Sequence, residues 1–462
     1  MFLKRYFIEG LAHASYLVGD GGEAAVVDPK RDVDDYIADA AAAGLKIIAV
    51  LNTHPHADFA SGFWELASRT GAKIYTSHLA PAQYERVAAR NGQRIPIGSL
   101  EIEILETPGH SPDSLSFLVR ELDQPVLVFT GDLLFVNDVG RPDLRDAESD
   151  PTALAGALYD SLFGKILSLP DDVKVYPSHG AGSLCGRALG SAPFTTVRQE
   201  KHFNWAAQLK DRSEFIRQML DNLPDRPAYF GFDVALNLRG AAPLSEMPPL
   251  QAFSESELKQ AAAAGAVVLD TRSAVLFGAG HFSGSLNIGL GSAMFATWSG
   301  FFVSGESEIV LVVSDAAAAP KARLALARIG FDRVIGFVEG DNIEHSNQLT
   351  QLSAYDLKSA PEYGDVCHVL DVRTTGEWHS GHIESAHHAP LARLTTRIAE
   401  VPKDRRVAII CGSGYRSSLA ASLLMRAGHT RLANVIGGMS AYSETQCSEM
   451  HPADLVFNGE GI

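Results

Sequence analysis

Residues 52–59 read Asn-Thr-His-Pro-His-Ala-Asp-Phe, which places His54, His56 and Asp58 within five positions. Three further groups follow in order: Pro108-Gly109-His110, Thr130-Gly131-Asp132 and Ser178-His179-Gly180. Each group follows an apolar run: Ile47 to Leu51, Ile102 to Leu105, Val126 to Phe129 and Val173 to Tyr176. Such runs read as buried strands, so the polar groups fall on strand-end loops, where rigid α/β scaffolds carry ligands. A single His-x-His pair arises by chance. Imidazoles and carboxylates at successive strand ends are hard to explain as satisfied core groups, and they are the donors that zinc and non-haem iron take.

A second chemistry sits near residue 411. Val407 to Ile410 reads as a buried strand that delivers Cys411, followed by Gly412-Ser413-Gly414-Tyr415-Arg416-Ser417, with a helix expected over 416–427. A cysteine on a tight loop closing onto a helix N-terminus lies among inward-pointing N–H groups, which favour thiolate over thiol. Arg416 adds positive charge. The alternative is a buried structural cysteine; the glycines at 412 and 414 argue against it.

The elements that must hold these groups follow from pattern. The chain has 462 residues, enough for two to four domains. Strands are expected at Ala24 to Asp28, Lys46 to Leu51 and Lys73 to Thr76, with helices at Val33 to Ala43 and Phe63 to Thr70. Clustered strands near Ile102, Leu115 and Val126 suggest a sheet sandwich with outer helices rather than a doubly wound sheet. Pro151 to Leu169 and Phe194 to Leu223 read as helical, and 224–253, with Pro224, Pro227, Pro243, Pro248 and Pro249, as a breaker-rich boundary.

An internal repeat follows. Val267-Val268-Leu269-Asp270-Thr271-Arg272 matches His368-Val369-Leu370-Asp371-Val372-Arg373, and Gly280-His281 matches Gly381-His382. Two tandem α/β modules of about 100 residues are expected. In the first copy the cysteine loop is replaced by Val312-Val313-Ser314-Asp315 and an alanine run, so that module is expected to be catalytically dead.

A net charge of −16 argues against a nucleic-acid surface. No apolar run reaches the 18 or so residues of a membrane span, and the first residues read as a strand rather than a signal. Four scattered cysteines are too few for a disulfide scaffold, so a cytoplasmic location is expected. Cys367 and Cys447 carry no motif and are read as structural.

The order His-x-His-x-Asp, Gly-His, Gly-Asp, late His resembles the metallo-β-lactamase fold, over residues 1–245. The family pattern continues with a further His that helps hold a second ion; here that position is Phe59. Within the family, the stretches 57–62, 139–144 and 176–186 resemble the persulfide dioxygenases. That resemblance implies one Fe(II) per chain on His54, His110 and Asp132, a facial triad with open positions. His56, Asp58 and His179 then orient ligands and water, with either histidine kept as an alternative ligand. Arg141 and Asp143 read either as a surface ion pair or, as the resemblance favours, as a pair shaping the pocket. Cys185 reads equally as a pocket residue or a small buried one.

Residues 357–445 resemble the rhodaneses, on Asp371-Val-Arg373, Gly381-His382-Ile383, Gly437-Gly438 and the Cys411-to-Arg416 loop. The phosphatases of that fold have a loop one residue longer. The expected architecture is thus α/β: an αββα metallo-β-lactamase sandwich (1–245), a rhodanese-like domain lacking the cysteine (254–350) and a rhodanese domain carrying it (354–462).

The function these resemblances imply is Fe(II)-dependent oxidation of a low-molecular-weight persulfide, glutathione persulfide above all, by O2 to sulfite and free thiol. Sulfur transfer through Cys411 to or from thiosulfate or sulfite accompanies it, in sulfide oxidation. The residues set neither its direction nor the thiol carrier. The alternatives are a zinc thioesterase of the glyoxalase II kind with an accessory rhodanese, and a non-enzymatic sulfur sensor. Small molecules, no nucleic acid, no membrane and a homo-oligomer, dimer or tetramer, complete the expectation.

Overall fold

A computed structural model describes residues 1–145, 150–221, 223, 225–344, 347–359 and 367–448, with side chains omitted over 444–448. Cys447, read above as structural, therefore lies outside the described side chains. The chain divides into two compact units. The first comprises Met1–Pro249 with Ala296–Glu306 and Arg323–Asp332; the second comprises Leu250–Phe295, Ser307–Ala322 and Arg333–Ile462.

Two six-stranded sheets build the first unit. One takes Phe2–Ile8, His13–Asp20, Glu23–Val27, Lys46–Leu51, Lys73–Ser77 and Val87–Ala89 in sequence order. The other runs Thr195–Thr196, Lys174–Pro177, Gln124–Gly131, Leu115–Glu121, Leu100–Glu106, Arg94–Ile97. Alternate residues of both sheets, among them Tyr16, Val27, Leu51, Ile102, Phe117 and Phe129, face each other in one apolar core. Helices cover the outer faces: Tyr36, Phe63 and Leu66 pack on one sheet, and Leu158, Leu162, Phe215 and Met219 on the other. This is the expected αββα sandwich.

Two sequence readings need correction. Residues 194–223 are not one helix: Thr195–Thr196 is an edge strand, and three short helices follow, Val197–Phe203, Trp205–Gln208 and Arg212–Leu220. Thr196, Asn204 and Asp211 each cap the next helix with a side-chain oxygen, which resets the chain direction each time. The breaker-rich stretch 224–253 also holds a ten-residue helix, Phe230–Arg239, buried through Phe230, Asp233, Val234, Leu236 and Asn237.

In the second unit, Val267–Asp270, Leu286–Asn287, Ile309–Val313 and Val334–Glu339 form a parallel sheet of four strands. Its counterpart has His368–Asp371, His387–His388, Val407–Ile410 and Leu432–Val435 in the same spatial order, with Thr350–Leu352 added at one edge. Among the described residues no helix is long and apolar enough to cross a membrane.

Candidate metal centre and sulfur-transfer loop

The strand Lys46–Leu51 ends at the loop that carries His54, His56 and Asp58; Gln124–Gly131 ends at Asp132, and Lys174–Pro177 at His179. Gln124–Gly131 and Lys174–Pro177 are parallel neighbours in one sheet, and Lys46–Leu51 lies in the sheet that faces it. Gly131 adopts a left-handed φ of +55° directly before Asp132, and a Cβ there would press into Thr53.

Nε2 of His54 lies 3.8 Å, and Nε2 of His110 3.5 Å, from Oδ2 of Asp132. Together these three atoms form a compact, fully buried donor group. His54 Nε2 and Asp132 Oδ2 make no hydrogen bond. Buried polar atoms without partners are costly, and convergent unpaired donors of this type fit a cation. Burial lowers the basicity of both imidazoles below the ordinary histidine value, which keeps their lone pairs free. For Asp132, burial pushes the carboxyl up, but His179 and the two facing histidines outweigh it and hold the group well below its ordinary value.

The tautomers are set from behind. Thr53 Oγ1 donates to Asp28 Oδ2 at 2.8 Å, so its lone pair takes the Nδ1–H of His54 at 2.9 Å. His110 Nδ1–H donates to the Arg141 carbonyl at 2.9 Å. In each ring the Nε2 lone pair is left facing Asp132. Asp28 also accepts from the Thr53 N–H and from Ser178, and it holds a left-handed φ of 46°. Neither Asp28 nor Thr53 belongs to a recognised ligand pattern, although Asp28 ends an apolar strand just as Asp132 does.

His179 bridges two carboxylates. Its Nδ1 hydrogen-bonds Asp132 Oδ1 at 2.8 Å, and its Nε2 makes an ionic contact of 2.8 Å with Asp58 Oδ2 that is not aligned as a hydrogen bond. Burial opposes a charge there, but the two acids outweigh it and raise the imidazole well above its ordinary value. His56 lies 3.3 Å from Asp28 and stacks near His54. With Asp132 and His179 it forms a second buried donor group.

Phe59 is buried, its ring 3.8 Å from His13 and 4.5 Å from His56. His13, also fully buried, makes no hydrogen bond through either nitrogen, and burial first, then His179 and His56, hold it neutral. It was invisible in the sequence because it stands alone at a strand start.

Cys185 Sγ, Asp58 and His179 lie within 4.8 Å of one another. Burial, then Asp58 and Asp132, raise the thiol well above its ordinary value, so it is protonated at neutral pH. Arg141 is no surface residue: its side chain is 1% exposed and forks onto Asp143 at 2.7 and 2.6 Å, while its N–H donates to the Cys185 carbonyl.

In the second unit Cys411 is fully buried at the end of Val407–Ile410. The Gly414 N–H points at Sγ from 3.2 Å, and the Ser417 hydroxyl lies 3.4 Å from Sγ and 2.6 Å from Asn434 Oδ1. Gly414, with φ +95°, caps the helix Tyr415–Arg426. A Cβ at Gly438 would collide with the Cys411 carbonyl. Arg416 forks onto Glu377 at 2.7 and 2.6 Å, so its charge is already partly neutralised by a residue the sequence did not single out. Gly412 is half-buried, Ser413 exposed, and the Tyr415 ring lies against Gly289. Cys367 is half-buried and not in a disulfide.

Comparison with known proteins adds the kinship. Residues 8–179 match the metallo-beta-lactamase superfamily and residues 353–445 the rhodanese-like domain. The chain is 31% identical over 244 residues to the persulfide dioxygenase ETHE1, mitochondrial, of Homo sapiens, covering 52% of this chain and 88% of that protein. It is 30% identical over 242 residues to a hydroxyacylglutathione hydrolase of Polaromonas sp., covering 46% and 88% respectively. A solved metallo-beta-lactamase from Staphylococcus aureus superposes with a TM-score of 0.66 at 30% identity, covering 74% of this chain and 98% of that one. The chain therefore belongs to the metallo-β-lactamase superfamily, has persulfide dioxygenases among its homologues, and carries a rhodanese-like domain behind its metal-site domain.

Proposed function

We propose that this protein is a persulfide dioxygenase with one Fe(II) per chain on His54, His110 and Asp132, coupled to sulfur transfer on Cys411. The domains are 1–245 for the metal site, 254–350 for a rhodanese-like module without its cysteine, and 354–462 for the active rhodanese. The observation that carries this reading is Phe59. Its ring, packed between His13 and His56, offers no donor where a second ion would need one.

The overall reaction balances: a glutathione persulfide, one O2 and one water give glutathione, sulfite and two protons. Bound iron supplies the redox change that lets triplet O2 react with a closed-shell persulfide, which zinc cannot do. The chain's own residues orient and protect. Asp28 through Thr53 holds His54, and the Arg141 carbonyl holds His110. His179 occupies one oxygen of Asp132 and leaves the other free. We assign Cys185, within 4.8 Å of Asp58 and His179, and the Arg141–Asp143 fork to the substrate pocket. In the rear domain the Cys411 thiolate, steadied by the Gly414 N–H, attacks the sulfane sulfur of thiosulfate. A Cys–S–S bond forms, the thiosulfate S–S bond breaks, and sulfite leaves with the electron pair; the reverse step makes thiosulfate from sulfite.

A second reading, zinc thioester hydrolysis, draws on the hydrolase relative and on the second donor group His56, Asp132, His179. An oxygen electrode decides between them. Added glutathione persulfide should give O2 uptake matched mole for mole by sulfite, with iron near one per chain. Paired zinc, hydrolysis of a glutathione thioester and no O2 uptake would replace this function with the hydrolase.

A further inference from the structure

The loop 56–61 has no regular structure and is buried throughout, so each of its peptide groups needs a partner. Helix Phe230–Arg239 provides three of them through one side chain. Asn237, buried, donates from Nδ2 to the carbonyls of His56 and Phe59, both at 2.8 Å, and accepts the Ser61 N–H on Oδ1 at 2.9 Å. The Tyr229 hydroxyl reaches the Asp58 carbonyl at 3.3 Å, and the Ala60 N–H donates to the Arg328 carbonyl at 2.8 Å. Every one of these partners lies outside the 8–179 span matched to the superfamily.

We propose that Asn237 is a positioning residue of the metal centre: its amide fixes the 56–61 loop, and with it the aim of His54 and His56. The physical argument is one of fit. An amide has two donors on one side and an acceptor on the other, and the loop presents two carbonyls and one N–H in that arrangement. A carboxylate of the same shape would set an oxygen against two carbonyl oxygens. Phe59 sharpens the need, because a loop whose side chain at 59 cannot be tied to an ion must be tied through its backbone. The inference rests on the metal reading of the site but not on iron or on the substrate.

The test uses full-length protein stripped of metal and titrated with Co(II), read by its visible d–d spectrum and by competition with a chelator. Asn237→Asp should weaken Co(II) binding about 10–100-fold, the range for residues that orient metal ligands, and change the d–d bands. Asn237→Ser, which drops part of the contact, should show the same direction and serves if the Asp variant does not fold. Val234→Ala, on the same helix and buried but not bonded to the loop, should lower the thermal transition while leaving the Co(II) spectrum unchanged. Co(II) affinity within twofold of wild type in the Asn237 variants, or an equal spectral change in Val234→Ala, would overturn the proposal. Wild type that fails to bind Co(II) would overturn the metal reading with it.

Discussion

The two tandem α/β repeats share a frame to the level of single hydrogen bonds, yet only one presents a cysteine loop at its strand end. In the first, Arg272 forks onto Asp270 and donates to the Gly280 carbonyl; in the second, Arg373 does the same with Asp371 and Gly381. His281 stacks on Phe277 at 3.9 Å, and His382 on Trp378 at 3.6 Å, each with an Nδ1 bond to the carbonyl below. The sheet register aligns Val312 with Asp270 and Ile410 with Asp371, so Val313 stands where Cys411 does. There the Asp315 side chain takes the Ala318 N–H for itself, whereas the Gly414 N–H is turned toward sulfur. The Arg–Asp frame recurs in both repeats while the cysteine loop occurs in one, so the frame does not depend on that loop.

The comparison can be broken at several points. The largest effect is expected from Cys411→Ser, which should abolish transfer of sulfur from thiosulfate to cyanide while leaving O2 uptake with glutathione persulfide unchanged. Transfer surviving this change would mean the first repeat is not dead. Next, Asp270→Ala and Asp371→Ala each strand a buried guanidinium and should cost about 3–5 kcal/mol by denaturant unfolding. Unequal losses would show that the frames are not energetically alike. Val313→Cys restores the sulfur but not the loop, and should give a thiol that iodoacetamide alkylates no faster than an ordinary buried cysteine.

The smallest effect concerns pH. The fork to Arg416 holds the Glu377 carboxyl at about 2 against an ordinary 4.5. A lowered folded value means the stabilisation is complete above pH 4.5 and fades as pH falls toward 2. The first repeat has Leu276 in that place. Thermal scans should therefore show a smaller gap between wild type and Glu377→Gln at pH 3 than at pH 6. A gap undiminished at pH 3 would remove the fork from the comparison.

Much of this was legible in the sequence because its signals are local. His54 to Asp58, Gly109-His110, Gly131-Asp132 and the Cys411 loop each place a candidate ligand or nucleophile and its strand-end setting within a few residues. Helix Phe230–Arg239 escaped because two of its buried positions, Asp233 and Asn237, are polar, which breaks the apolar stripe that marks a helix face, and because prolines flank it. Asp28 and His13 escaped for a different reason: their partners are about 25 residues or more away in the chain, and spacing says nothing about such pairs. The Glu377–Arg416 fork likewise joins residues separated by 39 positions.

The first unit is discontinuous, and that has a consequence for how the chain is made. Arg328 lies about 270 residues beyond the loop whose Ala60 N–H it receives, and Asp332 about 300 beyond the Arg31 it pairs with. A ribosome emitting this polypeptide delivers every candidate metal ligand before it delivers those two braces. The nascent front half must wait with Leu236 and Phe232 incompletely covered until residue 332 emerges. A gene cut after codon 249 would leave its product in that waiting state permanently.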